Sequence, residues 1–350
     1  MKAALLYGAR DFRVEEVAVP PDPQRGEVVI RIGSVGVCGS DLHTYQDGRI
    51  GDTVVANPMV LGHEFAGTVA ALGAEAYNGF HQPLALGQRV AVEPGKPCWH
   101  CDRCEQGDPN LCRHLGFMGL WPDNGALQEY LVVPARNCFP IPDALSMEDG
   151  ALLEPLGVAI HAADLGKVRI GESVAVIGCG PIGLMILRLA KLSGAKAVYA
   201  FDQFGWRLDK AKSWGADEVI NITETDAIKA LIKANGGHGV DVVFEVAWGG
   251  AAVGEAIEMA DLGARVVLVG IPGSDRAEFK HSTARRKGLT ILMSRRMKHT
   301  YPRTIELAVN RSLVLTDLVT HRFDLDHTAD AFALNTDYRD GVNKVMVNLE

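Results

Sequence analysis

The chain has 350 residues, and at about 150 residues per domain this length predicts two domains. With 47% apolar and 22% charged residues, the composition excludes disordered, collagen-like and coiled-coil chains. The formal charge of -8 provides no basic surface for a nucleic acid or an anionic membrane, so neither is expected as a partner. No apolar run is long enough for a membrane span or a signal-peptide core, which predicts a soluble, cytoplasmic protein.

The first 150 residues consist of short alternating or β-branched runs separated by Gly and Pro, for example EVVIRIGSVGV and QEYLVVP. Such runs are typical of strands, and helical periodicity is hard to find among them. The pattern predicts an all-β, partly closed barrel-like unit with long loops.

Two segments of this unit carry candidate ligands of a metal. GVCGSDLH contains Cys38, Ser40 and His43, and LGHEFAG contains His63 and Glu64. A thiolate and an imidazole from separate loops are ligands that zinc accepts. The residues alone leave an alternative open, because a single histidine is more often structural than metal-bound and Glu64 can simply form an ion pair.

Four of the seven cysteines lie within fifteen residues, in the pattern Cys98-x2-Cys101-x2-Cys104-x7-Cys112. In a cytosolic chain this spacing predicts a metal site rather than a disulfide framework. Four thiolates complete the tetrahedral coordination of one Zn²⁺, so the predicted site is structural and stiffens a lobe at about residues 93–113. His100 and His114 are excluded because a fifth ligand would break the tetrahedron.

Glu154 lies in the apolar segment ALLEPLGVAIHA, directly before a proline. Burying an unpaired carboxylate is costly, so we expect Glu154 to be paired or linked to a metal. This makes it a further candidate for the predicted metal site.

From about residue 156, strands alternate with helical patterns, as in SVAVIG followed by PIGLMILRLAKLSG. The alternation continues through ARVVLVGI and ends near residue 294, after the strand LTILMS. It predicts a parallel sheet wrapped by helices on both faces, the doubly wound Rossmann architecture of an α/β domain. The tail returns to β texture, so we expect a β-rich domain of residues 1–155 and 295–350 and a Rossmann domain of residues 156–294.

The turn GCGPIG carries the strongest cofactor signal, with Gly178, Gly180 and Gly183 between a hydrophobic strand and a helix. These glycines permit a tight turn, close approach of a pyrophosphate and close packing of helix on strand. Asp202 ends the next strand, where a carboxylate accepts hydrogen bonds from ribose hydroxyls and repels a 2′-phosphate. The pattern favours NAD over NADP, with Arg207 as a nearby residue that can meet a phosphate.

Several segments follow one another along the chain in the order GVCGSD, LGHEFAG, the four-cysteine lobe, GFMG, DNGALQEY, LLEPLGVAIHA and GCGPIG. In this order and spacing they resemble the zinc-dependent medium-chain dehydrogenases over essentially the whole chain. The similarity is closest to the polyol (sorbitol, xylitol, L-iditol) dehydrogenase branch. The resemblance implies a β-rich GroES-like catalytic domain, a Rossmann NAD-binding domain, and one NAD and two Zn²⁺ per chain.

By this resemblance Cys38, His63 and Glu64 match the ligands of a catalytic zinc. Glu154 takes the position of a glutamate that in the polyol branch lies close to the metal, directly or through water. Zinc bound there would lower the pKa of a substrate hydroxyl, so that hydride can pass to the nicotinamide ring.

Ser40 and His43 match the family positions that relay the substrate proton, through the nicotinamide ribose, to solvent. His43 suits the surface end of that path because histidine titrates near neutral pH. The alternative is that His43 is a solvated loop histidine without this role.

The resemblance also implies contacts with the cofactor and the substrate. Besides the glycine turn and Asp202, the matched cofactor positions are Ile182, Arg207, Val269, Gly270 and Ile271. The matched substrate positions are Thr44, Phe117, Glu154, Arg296 and Met297. Thr44 and Met297 each replace a tyrosine of sorbitol dehydrogenases, and the loss of two hydroxyl-bearing aromatic side chains argues against sorbitol itself as the substrate.

The predicted function is NAD-dependent oxidation of a secondary hydroxyl of a polyol or sugar alcohol to the ketone, with this small molecule bound between the domains. One alternative is the same chemistry on L-threonine, a simple secondary alcohol or an aldose. Another is a non-catalytic dinucleotide-binding protein of this fold, and a third, a zinc-free quinone reductase, is disfavoured by the metal ligands.

The hydrophobic strand ARVVLVGI is taken to end the Rossmann sheet, and an exposed edge of this kind tends to be paired or covered. It predicts a homo-oligomer, most simply a homotetramer, with a dimer as the alternative.

Overall fold

The computed structural model describes residues 1–247, 249–273 and 276–349. The chain forms two compact units, Met1–Pro155 with Tyr301–Glu350, and Leu156–Thr300. The chain returns to the first unit after residue 300, whereas the sequence pattern puts this boundary after residue 294. The loop behind the last Rossmann strand stays with the second unit because Met297 and Thr300 pack against Gly157.

The first unit is built mainly from strands. Its elements up to residue 155, with the helix that runs on past this point, are β1 Lys2–Gly8, β2 Asp11–Glu16, β3 Glu27–Gly36, α1 Gly39–Asp47, β4 Arg49–Ile50, β5 Thr53–Val54, β6 Met59–Val60, β7 Glu64–Leu72, β8 Arg89–Val92, β9 Gly95–Lys96, α2 Asp102–Glu105, β10 Gly116–Phe117, β11 Tyr130–Pro134, β12 Cys138–Pro140 and α3 Met147–Gly166.

The second unit alternates strands and helices. Its elements after α3 are β13 Ser173–Ile177, α4 Pro181–Leu192, β14 Ala197–Asp202, α5 Gly205–Ser213, β15 Glu218–Asn221, α6 Ala227–Ala234, β16 Val240–Glu245, α7 Ala252–Met259, β17 Ala260–Leu268, α8 His281–Lys287 and β18 Thr290–Met293. The tail then adds α9 Tyr301–Val309, β19 Val319–Asp324, α10 Thr328–Thr336 and β20 Lys344–Asn348 to the first unit.

β3 is the central strand of the first unit. It pairs antiparallel with β7, β11 and β20, and the sheet runs in the order β12–β8–β7–β3–β20–β19. Its residues are almost all buried, as expected for a strand that is covered on both faces. This sheet positions the start of β7 and the start of β20, from which the functional side chains described below project.

The second unit has a six-stranded parallel sheet in the order β15–β14–β13–β16–β17–β18. This is the strand order of a doubly wound dinucleotide-binding fold, in which ligands bind at the carboxyl ends of the strands. β13 is fully buried because helices cover both faces of the sheet. The predicted combination of a β-rich GroES-like domain with a Rossmann domain is confirmed.

Three helices show that the all-β prediction for the first unit is wrong in detail. α1 lies within the segment that was predicted as strands and loops. In the tail, the predicted β segments VLTDLVTHRF and KVMVNLE contain β19 and β20, but α9 and α10 were not predicted. Glu154 lies on α3, a twenty-residue helix that the sequence pattern does not identify. No helix among the described residues combines the length and the apolar character that crossing a bilayer requires.

The edge of the Rossmann sheet also differs from the prediction. β17, which contains most of ARVVLVGI, lies between β16 and β18 and is therefore an inner strand. The true edge is β18, whose Ile291 and Met293 are exposed. The short run LTILMS was predicted as a strand, but its place at the edge depends on pairing that the sequence does not reveal.

Candidate functional site

Helix α1 gathers several of the predicted site residues on one short element. Cys38 is its N-cap residue, and the carboxylate of Asp41 accepts a hydrogen bond from the Cys38 backbone N–H at 3.3 Å. The helix ends at Gly48, whose positive φ of 66° and N–H donation to the Thr44 carbonyl close the last turn. The position of Cys38 is therefore set by local backbone geometry.

Cys38, His63 and Glu64 form one of the two candidate metal groups among the described residues. Their ligand atoms all lie within 4.8 Å of one another. His63 and Glu64 stand at the start of β7, directly after Gly62, which has a φ of 93°. A Cβ at Gly62 would lie 2.8 Å from the side chain of Val35 and 3.1 Å from that of Leu127. A thiolate, an imidazole and a carboxylate are a donor set that suits zinc, and three protein ligands are typical of a catalytic zinc with an open position.

The imidazole of His63 is oriented by Asp41. Its Nδ1 lies 3.1 Å from Oδ1 of Asp41, which leaves Nε2 as the nitrogen available to a metal. Burial lowers the pKa of His63, but the charges of Asp41 and Cys38 outweigh it and raise this pKa well above its ordinary value. A metal at this site therefore competes with a proton for the ring.

The carboxylate of Glu64 forms a buried ion pair with Lys344, the first residue of β20. The ammonium group of Lys344 also donates to the Val37 carbonyl at 2.9 Å, and the residue is only 2% exposed. Burial lowers the pKa of Lys344, but the charges of Glu64 and Cys38 outweigh this effect and raise the pKa above its ordinary value. The ammonium group therefore stays charged. A fixed cation thus touches the one carboxylate of the metal group.

Glu154 does not belong to the metal group, which among the described residues contains only Cys38, His63 and Glu64. It is buried on α3. The geometry therefore gives no support to Glu154 as a direct ligand, and contact with the metal through water stays a prediction.

Of the other predicted residues of the first unit, Ser40 and Phe117 lie next to His63. The hydroxyl of Ser40 lies 3.4 Å from Nε2 of His63, and the ring of Phe117 lies 5.2 Å from the His63 ring. The hydroxyl of Thr44 donates a hydrogen bond to the Ser40 carbonyl at 3.2 Å, so its proton is engaged within α1. His43 is 6% exposed and helical, which rules out a solvated loop histidine.

The four cysteines of the lobe form the second candidate metal group. Sγ of Cys101 lies 3.6 Å from Sγ of Cys104 and 3.9 Å from Sγ of Cys112, which in turn lies 3.5 Å from Sγ of Cys98. Tetrahedral Zn²⁺ with bonds of about 2.3 Å requires S–S distances of about 3.8 Å. All four thiols are free of disulfides, so the set fits a closed structural zinc.

The glycine turn after β13 has the geometry that a dinucleotide requires. Gly178 has a φ of 102°, and a Cβ at Gly183 would collide with the Gly178 carbonyl, so neither position accepts a side chain. Gly180 has an ordinary φ of −68° and open space on its Cα. α4 begins at Pro181, and the half-buried Ile182 lies in its first turn, where free N–H groups can receive a phosphate.

Asp202 ends β14 and ties the glycine turn to the next loop. Its Oδ2 accepts from the Cys179 N–H at 2.8 Å, and its Oδ1 accepts from the Phe204 N–H at 3.0 Å. Nη1 of Arg207 lies 3.9 Å from Oδ2. Each carboxylate oxygen has a second lone pair, so Asp202 keeps the capacity to accept from a ribose.

The turn after β17 contains the remaining predicted cofactor contacts. The N–H groups of Val269 and Gly270 both donate to the backbone carbonyl of Glu245, at 2.8 and 3.0 Å. Ile271 follows with a half-exposed side chain. Val269 and Gly270 can therefore offer a cofactor their carbonyl groups but not their N–H groups.

Arg296 and Met297 lie in the loop between β18 and the end of the second unit. Arg296 has a φ of 56°, and its guanidinium nitrogens are buried. Met297 is buried, and its sulfur packs against Gly157 of α3. Met297 thus has a packing role that the sequence does not indicate.

Two functional side chains escape sequence reasoning. Asp41 lies in the CGSD segment three residues after Cys38, where an aspartate is typical of a turn and does not indicate a partner for a histidine. Lys344 opens the apolar run KVMVN, and a single cation in such a run is a weak signal. The contacts that give both residues their roles join positions far apart in the sequence.

Comparison with known proteins extends these observations. Residues 24–143 match the family model described as alcohol dehydrogenase GroES-like domain, and residues 181–310 match the one described as zinc-binding dehydrogenase. A sorbitol dehydrogenase of Bacillus subtilis is 38% identical over 99% of this chain and 97% of its own length. An L-idonate 5-dehydrogenase of Vitis vinifera is 36% identical over 99% of this chain and 94% of its own length.

A solved structure gives the same result at the level of the fold. An alcohol dehydrogenase from Escherichia coli CFT073, determined in complex with NADH, superposes with a TM-score of 0.89 and 32% identity. The superposition covers 100% of this chain and 99% of that one.

Proposed function

The chain belongs to the zinc-dependent medium-chain alcohol dehydrogenases, and on this premise we propose that it oxidises a secondary hydroxyl of a polyol or sugar alcohol to the ketone, with NAD as the acceptor. In this reaction the hydroxyl carbon gives a hydride to NAD and the hydroxyl gives up a proton, so the products are a ketone, NADH and a proton. The first unit serves as the catalytic domain and the second as the NAD-binding domain.

The convergence of Cys38, His63 and Glu64 carries the proposal. These residues come from two separate segments, and their ligand atoms lie within 4.8 Å of one another. The same chain has a glycine turn and a carboxylate suited to a dinucleotide. A zinc bound by these three residues supplies Lewis acidity, which lowers the pKa of a substrate hydroxyl.

Other side chains keep this donor set in order. Asp41 holds His63 in the tautomer that presents Nε2, and Lys344 holds the carboxylate of Glu64. Ser40, whose hydroxyl lies next to the His63 ring, takes the first position of the proton relay, and His43 takes the next one on α1. We propose that Glu154 contacts the metal through water.

Asp202 supports NAD rather than NADP as the cofactor. Its carboxylate is fixed by two backbone N–H groups and would face a 2′-phosphate with the same sign of charge. Arg207 lies next to this carboxylate, and its positive charge is partly balanced by that of Asp202. The cofactor contacts proposed for the remaining positions are Ile182, the carbonyls of Val269 and Gly270, and Ile271.

The polyol class rests on the relatives that act on sorbitol and L-idonate. The proposed substrate contacts are Phe117, Glu154, Arg296 and the neighbourhoods of Thr44 and Met297. Because Met297 has no hydroxyl and that of Thr44 already donates to the Ser40 carbonyl, the substrate is expected to receive fewer hydrogen bonds than a tyrosine pair would donate. A polyol other than sorbitol is therefore favoured.

A substrate panel tests this proposal. NADH formation should be measured at 340 nm with sorbitol, xylitol, L-arabinitol, galactitol, L-threonine and simple secondary alcohols. We expect turnover of a polyol, with sorbitol not the best substrate, and loss of turnover in Cys38→Ala. Turnover confined to L-threonine or a simple alcohol would replace the substrate class. No turnover of any alcohol, with NADH still bound, would favour a non-catalytic dinucleotide-binding protein.

We further propose that the chain is a homo-oligomer, with a tetramer as the expected state. β18 supports this, because an exposed edge strand with apolar side chains is a surface that proteins usually cover. Met293 is 74% exposed on this edge.

A further inference from the structure

Glu245 is a buried carboxylate that the proposed mechanism does not use. It ends β16 at the carboxyl edge of the Rossmann sheet and is 3% exposed. Its register neighbours are Ile177 on β13 and Leu268 on β17, both apolar. A carboxylate in such surroundings is costly, so its contacts indicate what it does there.

The contacts of Glu245 join two turns. Oε1 of its side chain accepts from the Ala247 N–H at 2.8 Å, which fixes Val246 and Ala247 at the start of the turn that follows β16. Its backbone carbonyl accepts from the N–H groups of Val269 and Gly270, which fixes the turn that follows β17. One residue therefore holds both turns at the carboxyl ends of adjacent strands.

The glycines of this region show how closely the backbones approach. A Cβ at Gly270 would lie 2.8 and 3.0 Å from the two carboxylate oxygens of Glu245. A Cβ at Gly178 would lie 2.9 Å from the Val246 carbonyl, one residue after Glu245. The glycine turn of β13 and the turn of β17 thus both pack directly on residues 245–247.

The strand order places these turns in the half of the sheet that belongs to the nicotinamide nucleotide. In a doubly wound sheet of this order two mononucleotide-binding halves meet between β13 and β16. β13 and β14 carry the glycine turn and Asp202, so β16 and β17 serve the other nucleotide.

We propose that Glu245 is a positioning residue for the dinucleotide: its ionised carboxylate holds Val246 and Ala247 after β16, and its backbone carbonyl holds Val269 and Gly270 after β17, in the arrangement that binds the nicotinamide nucleotide. The inference rests on the proposed function only in taking NAD as the ligand. Glu245 acts through the backbone of Ala247 and Gly270 and has no role in the chemical step.

The ionisation state of Glu245 is sensitive to pH in the neutral range. Burial raises the pKa of Glu245 to about 7, against the opposing effect of the Ala247 and Gly270 N–H groups. No charged side chain in the described part of the chain contributes to this shift. β16 itself carries Asp241, and the titratable side chains of the second unit on the elements packed around β16 and on the adjoining glycine turn are His161 and Asp164 in the second-unit part of α3, Cys179, Glu255 and Glu258 of α7, and Asp261 and Arg265 of β17.

The direction of the pH effect follows from the hydrogen bonds. Ionised Glu245 accepts from backbone N–H groups more strongly than the neutral acid does. Affinity for the dinucleotide should therefore be highest above pH 7 and fall as the carboxyl takes up a proton. A glutamine keeps the amide oxygen as an acceptor, but it has no charge at any pH.

The test is the dissociation constant of NADH, measured by its fluorescence at pH 6 and pH 8 without substrate. We expect the wild-type constant to rise about fivefold from pH 8 to pH 6, as charge-assisted hydrogen bonds are lost. Glu245→Gln should bind about tenfold more weakly at pH 8 and show no such pH dependence. The KM for NAD should change in parallel, with kcat nearly unchanged.

Asp241→Asn is the matched control. Asp241 lies near the other end of β16, and its carboxylate also accepts a backbone N–H, that of Ser173 at 2.8 Å. This variant should bind NADH like the wild type at both pH values. Equal weakening of both variants would show a general loss of structure and overturn the proposal.

Two further outcomes would also overturn it. One is a wild-type dissociation constant for NADH that is the same at pH 6 and pH 8. This measurement uses the wild type alone, so it does not depend on whether a variant folds. The other is normal NADH binding by Glu245→Gln at pH 8. If the wild type binds no dinucleotide at all, the proposed function fails together with this inference, whereas binding without the pH effect removes the inference alone.

Discussion

At the scale of single residues, Lys344 controls the charge of the metal site. Lys344→Met removes the cation and leaves the Glu64 carboxylate buried without it, and breaking such a pair costs about 3–5 kcal/mol. We expect a loss of this order in the free energy of unfolding of the metal-free protein. The loss should be clearly smaller with zinc present, because the metal supplies positive charge to Glu64.

Chemical denaturation of the metal-free and zinc-loaded proteins measures the effect of Lys344→Met. The matched control is Lys191→Met, because Lys191 pairs with Asp217 at the surface, where ion pairs contribute about 0–1 kcal/mol. Equal losses with and without zinc would show that Lys344 acts independently of the metal site.

Glu245 should reduce the stability of the fold at neutral and alkaline pH. Its pKa is about 7 in the folded chain against an ordinary value of 4.5, so folding favours the protonated form. This contribution is fully present below pH 4.5 and is lost as pH rises through 7, by about 3 kcal/mol in total. Glu245→Gln cannot ionise at this position, so its stability should not show this decrease as the pH rises.

Thermal melting of the wild type and Glu245→Gln at pH 5.5 and pH 8.5 tests this sign. The variant should gain stability relative to the wild type as the pH rises. If the wild type gains more than the variant between these pH values, the carboxylate is stabilised by folding and the assigned direction is wrong.

Cys38 and His63 were candidate ligands on their chemistry alone, and the resemblance to the zinc-dependent medium-chain dehydrogenases then completed the predicted metal group with Glu64. Asp41 and Lys344 were not identified, since their roles depend on distances. Lys344 lies 280 residues from Glu64 in the sequence, and no local sequence pattern indicates that the two side chains form an ion pair. Glu245 was missed for the same reason, because its backbone contacts with Val269 and Gly270 arise only when β17 pairs with β16.

At the scale of secondary-structure elements, a substitution in the turn between β13 and α4 can weaken NADH binding without affecting folding. A Cβ at Gly180 meets no atom closer than Arg207 at 4.0 Å, and the backbone there has an ordinary φ. Gly180→Ala should therefore fold like the wild type. Its methyl group would occupy the space that the pyrophosphate needs, so the dissociation constant of NADH should rise at least about tenfold.

Gly205→Ala serves as the control for Gly180→Ala. Gly205 begins α5 in the same unit, and a Cβ there meets nothing within 4 Å. Both variants should melt within about 2 °C of the wild type, and only Gly180→Ala should bind NADH weakly. Normal affinity in Gly180→Ala would show that the phosphate does not approach this turn.

The Rossmann elements were predictable because their apolar strands and amphipathic helices alternate over more than a hundred residues. α1 was not, because nine residues containing Gly39, Ser40 and Asp41 look like a loop and cannot form a stable helix alone. It is stabilised by its capping interactions and by burial of its side chains from Asp41 to Tyr45. Such tertiary support is invisible in local sequence.

At the scale of the whole molecule, the edge strand β18 predicts how copies of the chain associate. Met293→Glu places a charge on this exposed edge and should disfavour edge-to-edge contact. Sedimentation velocity should show a tetramer for the wild type and smaller species for the variant. Ile170→Glu, at a position 89% exposed before β13, is the control and should leave the wild-type state unchanged.

Two results would contradict this assignment. A stable wild-type monomer would exclude the oligomer. A tetramer that survives Met293→Glu would place the contact on another surface of the chain.

We expect one chain to bind two zinc ions, a structural one at the four-cysteine lobe and a catalytic one at Cys38, His63 and Glu64. The most direct test is the zinc content of the purified protein, determined by elemental analysis for the wild type and for Cys38→Ala. We predict two zinc ions per chain in the wild type and one in Cys38→Ala. Cys138→Ala, which removes a buried thiol outside both metal groups, should retain two. A wild-type protein with a single zinc that Cys38→Ala does not lose would contradict the claim.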